Sequence, residues 1–200
     1  GLRATKTTTK VDGYVVENDV LTKSVKTKKY WAVLPMLHVK YSPKKDLNIR
    51  FAATRSFSRP NFGDISPSGT FISFDNEFKG GNPNLDPTFT NAFDFGYLKR
   101  WEKLSINSSL YYNRSTGVFQ FIVQETGDFV TLDNPNDPAN PVVVPVQART
   151  PINLATDNRY GGELTTTFTP KRGWRLTWNI NVYQQQLRGD YTFTNFIGRF

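Results

Sequence analysis

The sequence predicts an all-β chain, a segment of an antiparallel up-and-down transmembrane β-barrel. Three observations carry that prediction. Runs of residues alternate apolar with small polar side chains, the period of two that a strand imposes. Neighbouring runs are joined by tight basic turns: Ser42-Pro43-Lys44-Lys45-Asp46, Arg100-Trp101-Glu102-Lys103 and Pro170-Lys171-Arg172-Gly173. Between the pairs lie long, polar, proline-rich stretches, roughly 12–29, 60–90 and 125–158, which are expected as loops. A β-sandwich has no reason to sort short turns to one end and long loops to the other. An outer-membrane barrel does, with short periplasmic turns and long external loops.

Each strand can be justified in turn. Residues 2–10 alternate and are expected to pair with 30–41 across the first long loop. Trp31, Val33, Leu37, Val39 and Tyr41 share one face, interrupted by Pro35. Leu47, Ile49, Phe51 and Ala53 alternate with Asn48, Arg50, Ala52 and Thr54; Phe93, Phe95 and Tyr97 alternate with Asp94 and Gly96. Leu104, Ile106, Ser108, Leu110 and Tyr112 oppose Ser105, Asn107, Ser109 and Tyr111. Leu164, Thr166 and Phe168, then Trp174, Leu176, Trp178, Ile180 and Val182, repeat the pattern. Segments 46–57, 91–100, 104–115, 160–169 and 174–186 reach or approach the ~9–11 residues that a tilted spanning strand needs. Seven strands result, with an eighth if 191–200 begins another. No stretch keeps a 3.6-residue period, so little helix is expected. Tyr41, Trp101 and Trp174 flank the three turns, as rings of an interfacial girdle would.

Composition is compatible with this reading. The 200 residues suffice for one domain, and no run approaches the ~20 apolar residues of a spanning helix. There is no cysteine and one histidine, His38, which removes disulfides and leaves little capacity for metal or triad chemistry. A net charge of +8 invites a nucleic-acid reading. The basic residues, however, divide between the tight turns and the stretch 23–29, so they form two poles and no single stripe; no nucleic-acid partner is expected. The first residues already alternate without forming a secretion leader, and the last, Gly198-Arg199-Phe200, carry no cap. Both ends are expected to be cut from a longer chain, although a terminal aromatic also ends some complete barrels.

Further residues carry a resemblance. Arg59-Pro60-Asn61-Phe62 follows one strand; Gly81-Asn82-Pro83-Asn84-Leu85-Asp86-Pro87 closes the second loop; Thr90-Asn91-Ala92-Phe93-Asp94-Phe95-Gly96-Tyr97 opens the next strand; and Asn158-Arg159-Tyr160-Gly161-Gly162-Glu163-Leu164 opens another. In this order the set resembles the barrel of TonB-dependent outer-membrane receptors, particularly the Bacteroidetes form, over nearly the whole chain. Thr88 stands where that family often has Glu. The resemblance implies about 7–8 strands of a roughly 22-stranded barrel, residues 1–200 forming a partial barrel without its plug domain. It implies active uptake of a scarce nutrient (siderophore, cobalamin, glycan or peptide) across the outer membrane of a Gram-negative cell. The implied partners are outer-membrane lipid, the plug of the same full-length chain, the TonB complex through that plug, the nutrient itself and, as a further candidate, a surface lipoprotein. Two other readings stay open: a complete small barrel serving as adhesin or anchor, and a secreted glycan-binding β-sandwich.

The loop aromatics Phe71, Phe74, Phe78 and Phe129 are the candidate ligand-binding residues, since such rings can stack on a sugar or an aromatic chelator; the plainer role is packing a folded loop. Asp133-Asn134-Pro135-Asn136-Asp137 lacks the glycine and terminal glutamate of a calcium loop, so no metal is assigned. His38 shares a strand face with Leu34, Met36 and Lys40 and no Gly-x-Ser-x-Gly elbow accompanies it; no catalytic role and no cofactor are expected. Val142-Val143-Val144-Pro145-Val146 suits a short strand, kept by proline from a central ladder position.

Overall fold

A computed structural model describes residues 1–17, 20–66, 68–72, 77–133 and 139–191. Among the described residues nine strands follow in order: β1 (Leu2–Glu17), β2 (Val20–Lys44), β3 (Leu47–Ser58), β4 (Gly69–Ile72), β5 (Glu77–Gly80), β6 (Thr88–Arg100), β7 (Leu104–Leu132), β8 (Val142–Phe168) and β9 (Leu176–Arg188). Among the described residues the helix content is one turn, α1 (Phe62–Ile65). Strands β1, β2, β3, β6, β7, β8 and β9 form a wall in which each pairs antiparallel with the next. The short hairpin β4–β5 lies outside that wall and joins β8 through parallel pairing at residues 147–149.

The three predicted tight turns are present and fall at the same end of the wall. They are stitched together. The Arg100 amide donates to the Asp46 carbonyl at 2.8 Å, and the Thr169 amide donates to the Lys103 carbonyl at 2.8 Å. Two of the three expected long loops are corrected. Residues 12–29 and 125–158 are largely strand: β1 and β2 stay paired up to Glu17↔Val20, and β7 and β8 up to Leu132↔Val142. Both hairpins extend beyond the membrane-crossing stretch. Bulges beside Gly117 and Gly127, both at positive φ that glycine adopts without a Cβ clash, shift the β7–β8 register without ending it. The described residues of 60–87 hold the single turn α1 and the short β4–β5 hairpin, with irregular chain between and after them. Most of the candidate eighth strand, 192–200, lies outside the described residues.

Register turns the alternation into horizontal rows. One outward row runs Val39–Phe51–Phe95–Leu110–Gly162–Val182; the row nearer the turns runs Tyr41–Ile49–Tyr97–Ser108–Leu164–Ile180. The inward rows between them carry Lys40, Arg50, Gly96, Ser109, Glu163 and Asn181. Phe51, Phe95 and Trp178 keep 40%, 46% and 52% of their surface exposed, so no second layer of described residues covers the apolar face. That excludes the β-sandwich, whose apolar faces enclose one another. The aliphatic and aromatic rows meet lipid, and the polar rows face the interior. A row containing Tyr112 and Tyr160 closes the apolar band at the end away from the turns. Their hydroxyls donate to Asn158 Oδ1 (3.0 Å) and Gln184 Oε1 (2.8 Å).

Candidate functional site

Above the band, the segment 59–87 between β3 and β6 folds back onto the wall. Pro60 removes a ladder donor and fixes φ, so β3 stops at Ser58. Asn61 stands at the N-cap of the single turn α1, its amide donating to Asp64 Oδ2 at 3.3 Å and its carbonyl accepting from the Asp64 amide at 3.1 Å. This turn presents Ile65, and the turn after Pro83 presents Leu85; with Val11 of β1 they form a small buried cluster against which Phe119 of β7 packs. Val11 shares its strand face with Thr7 and Thr9, opposite the Trp31–Val33–Val39 stripe, so the segment covers the interior face. Thr7 and Ala32 on that face are buried in consequence.

Both hairpins grip the segment. On one side the Lys28 ammonium donates to the Asn84 and Leu85 carbonyls (2.6 and 2.9 Å) and pairs with Asp86 (2.8 Å). The Arg59 guanidinium donates to Thr7 Oγ1 at 3.2 Å. On the other side Asn153 of β8 accepts from the Asp86 amide (2.7 Å) and donates to the Asp86 and Gly117 carbonyls (2.9 and 2.7 Å). Asn82 Nδ2 donates to the Pro151 carbonyl at 2.9 Å. The segment therefore bridges the β1–β2 and β7–β8 hairpins at the external mouth. Beside it lies a concavity of about 220 Å³ lined by Lys26, Lys28, Tyr30, Arg59 and Phe62 around Val11 and Leu85. Its chemistry is an apolar floor with cations and aromatic rings at the rim, suited to an organic ligand bearing negative charge.

The sequence-predicted candidates fall elsewhere. Phe78 sits on β5, opposite Phe71 in the β4–β5 register and beside Ala148 of β8. Phe129 lies in a strand, contrary to its expected loop position: it belongs to β7, opposite Pro145, and is 70% exposed. Phe74 lies outside the described residues, as do residues 134–137 of the acidic run. Val142–Val144 do form strand, at the outer end of β8. On the interior face His38, Asp94 and Ser109 share a shallow concavity with Lys40 and Arg50, but the whole of β3 separates His38 from Asp94. Sequence reasoning passed over Lys28 and Asn153. Lys28 is hidden in a basic run, and nothing local marks Asn153; only the fold gives it three partners.

A seven-stranded wall with a lipid-facing band, aligned short turns and a mouth segment folded inward defines an outer-membrane β-barrel chain. The chain belongs to the outer membrane protein beta-barrel family, whose sequence profile matches residues 1–199. Its wall superposes on the siderophore receptor PirA from Acinetobacter baumannii (TM-score 0.58, 12% identity, covering 80% of this chain and 24% of that one). It superposes similarly on the FrpB iron transporter from Neisseria meningitidis, F5-1 variant (0.57, 10% identity, 84% and 22%). A third likeness is to the copper transporter OprC (0.57, 14% identity, 89% and 26%). The chain thus spans about a quarter of the length of these receptors and transporters. A search of curated proteins found no sequence match.

Proposed function

We propose that residues 1–200 are a sector of the barrel of a TonB-dependent receptor that takes up a scarce nutrient and performs no catalysis of its own. The carrying observation is the segment 59–87, held at Leu85 by Lys28 and at Asp86 by Asn153 across the mouth. A channel wall that served only as an anchor would have no use for a folded segment at its mouth. In this reading further strands of the full-length protein close the wall and a plug fills it. Energy arrives through the plug from the TonB complex. The mouth concavity and the aromatics Phe71, Phe74, Phe78 and Phe129 meet the nutrient, and a surface lipoprotein can dock on the external hairpins.

The test has two arms. The full-length coding sequence should specify a much longer protein with an N-terminal plug. Cells carrying it should bind and import a nutrient in a manner abolished by a protonophore, and Lys28→Met should weaken binding. A protein ending at Phe200, or import indifferent to the protonophore, refutes the reading.

A further inference from the structure

The net charge of +8 is not spread evenly. Lys44, Lys45, Arg100, Lys103, Lys171 and Arg172 all lie in the three short turns, and all are exposed. Against them stand Glu102 and Asp46, and Asp46 is already bonded to Lys99. The backbone bonds Arg100–Asp46 and Lys103–Thr169 fuse the turns into one rim, so these charges form a continuous arc along the wall. Aromatic rings mark the depth of that arc. Tyr41 ends an outward row, and Trp101 and Trp174 stand in the turns at the same end; all three are between 49% and 61% exposed. Lys99 Nζ lies 5.7 Å from the Trp101 ring and Lys171 Nζ 5.6 Å from the Trp174 ring.

Such rings settle in the headgroup layer, with the body toward the acyl chains and the polar edge toward water. The lysines and arginines beside them then lie at headgroup depth, where each is attracted to anionic lipid within a Debye length. A soluble periplasmic polymer would account for the charge but not for the rings. We infer that the turn rim is a binding surface for anionic phospholipid headgroups of the periplasmic leaflet, the cations holding phosphate and the rings seating the glycerol level. This inference concerns the opposite end of the wall from the mouth and does not depend on what is transported.

The test uses the full-length protein in phosphatidylcholine vesicles containing a minor fraction of brominated phosphatidylglycerol or, in a parallel set, brominated phosphatidylcholine. Tryptophan quenching is compared with that of a Trp101→Phe/Trp174→Phe variant, which isolates the two rim rings. The expected result is preferential quenching by the anionic lipid, a relative association roughly fivefold for each engaged cation at low salt. It should vanish near ~1 M salt, where the Debye length falls to about 3 Å. It should also vanish when the six cations are replaced by Gln and persist when the four lysines are replaced by Arg. Should the Gln variant fail to fold, the salt titration of the native protein decides. Equal quenching by both lipids, salt-insensitive preference, or preference surviving neutralisation overturns the inference; so does binding of soluble peptidoglycan fragments without lipid preference.

Discussion

Placing arginine at Ile180 tests which side of the wall meets lipid and how deep each row lies. From Leu104 to Tyr112 the outward face advances about 26 Å along β7 at ~3.3 Å per residue. At a strand tilt near 40° that is about 20 Å of depth, close to the ~25 Å band of such barrels. Ile180 stands in the row of Ser108, midway along this band, whereas Leu176 shares the row of Leu104 at its turn-side edge. An arginine at the midplane costs about 2–4 kcal/mol, and one at the interface about 0–1 kcal/mol. Ile180→Arg should therefore lower the guanidinium midpoint of the full-length protein in vesicles far more than Leu176→Arg, with tryptophan fluorescence as the readout. Ile180→Ala supplies the contrast with a dry core. Facing lipid, it loses transfer free energy but opens no cavity, about 1–2 kcal/mol; in a packed interior it would cost about 2–5 kcal/mol. Equal losses for both arginines, or a core-sized loss for the alanine, would refute the assignment of these rows to the bilayer.

Three further outcomes follow from local geometry. Asn153→Ala removes two hydrogen bonds to the mouth segment at Asp86 and one to Gly117 of β7, each worth about 1 kcal/mol net, and should raise amide exchange and proteolysis at 81–87 while the rest of the wall keeps its protection. Gly161→Ala should be strongly destabilising, because its Cβ would fall 2.5 Å from the Val182 carbonyl oxygen. Gly162→Ala meets the movable Leu110 side-chain end at 3.1 Å and the Ser109 carbonyl oxygen at an ordinary 3.5 Å, and should be tolerated; heat-modifiable migration of the two variants gives the comparison. The hydrogen bond from Lys99, with charge attraction from Lys99 and Lys44, lowers the Asp46 pKa below its ordinary value. A depressed carboxylate stabilises the folded state above its unfolded pKa of about 3.9 and loses that contribution as pH falls through the lower folded value. The stability difference between native protein and Asp46→Asn should therefore be constant near neutrality and disappear only below about pH 4; a difference unchanged at pH 2 would contradict it.

The membrane-crossing part of the fold was legible because lipid writes on the sequence. Where a strand has lipid on one face and water or protein on the other, every second residue is constrained. The rows through Phe51, Phe95 and Leu110 carry that mark. Beyond the bilayer the mark disappears. In 12–29 and 125–158 both faces of the hairpins are outside lipid, so Lys23 and Lys26 can sit in a strand as easily as Val25 does. Prolines strengthened the expectation of loops, yet Pro145 and Pro151 lie in β8 above the stretch that β9 covers, where among the described residues one side of the strand has no wall partner and a missing donor costs little. The mouth site was less legible still. Asn82-Pro83 announced a turn, but its docking on Pro151 and Asn153 depends on contacts some seventy residues distant.

The two faces of the wall impose the final constraint. Outward, Val39, Phe51, Phe95, Leu110 and Val182 would strip a costly area of apolar surface into water if the sheet were free in solution. Inward, Arg50 lies across Gly96, whose absent side chain leaves it room, and Tyr111 Oη crowds the space above Gly161. With Lys40, Asp94 and Glu163 beside them, these groups could not be placed against acyl chains without unpaired charge. A flat sheet immersed in either medium leaves one face in the wrong solvent. Only a curved wall, lipid outside and water or polar protein within, satisfies both, and curvature also brings the β1–β2 and β7–β8 hairpins toward the segment that Lys28 and Asn153 hold between them. The inward fold of the mouth and the outward stripe of aromatics are thus consequences of the same alternation.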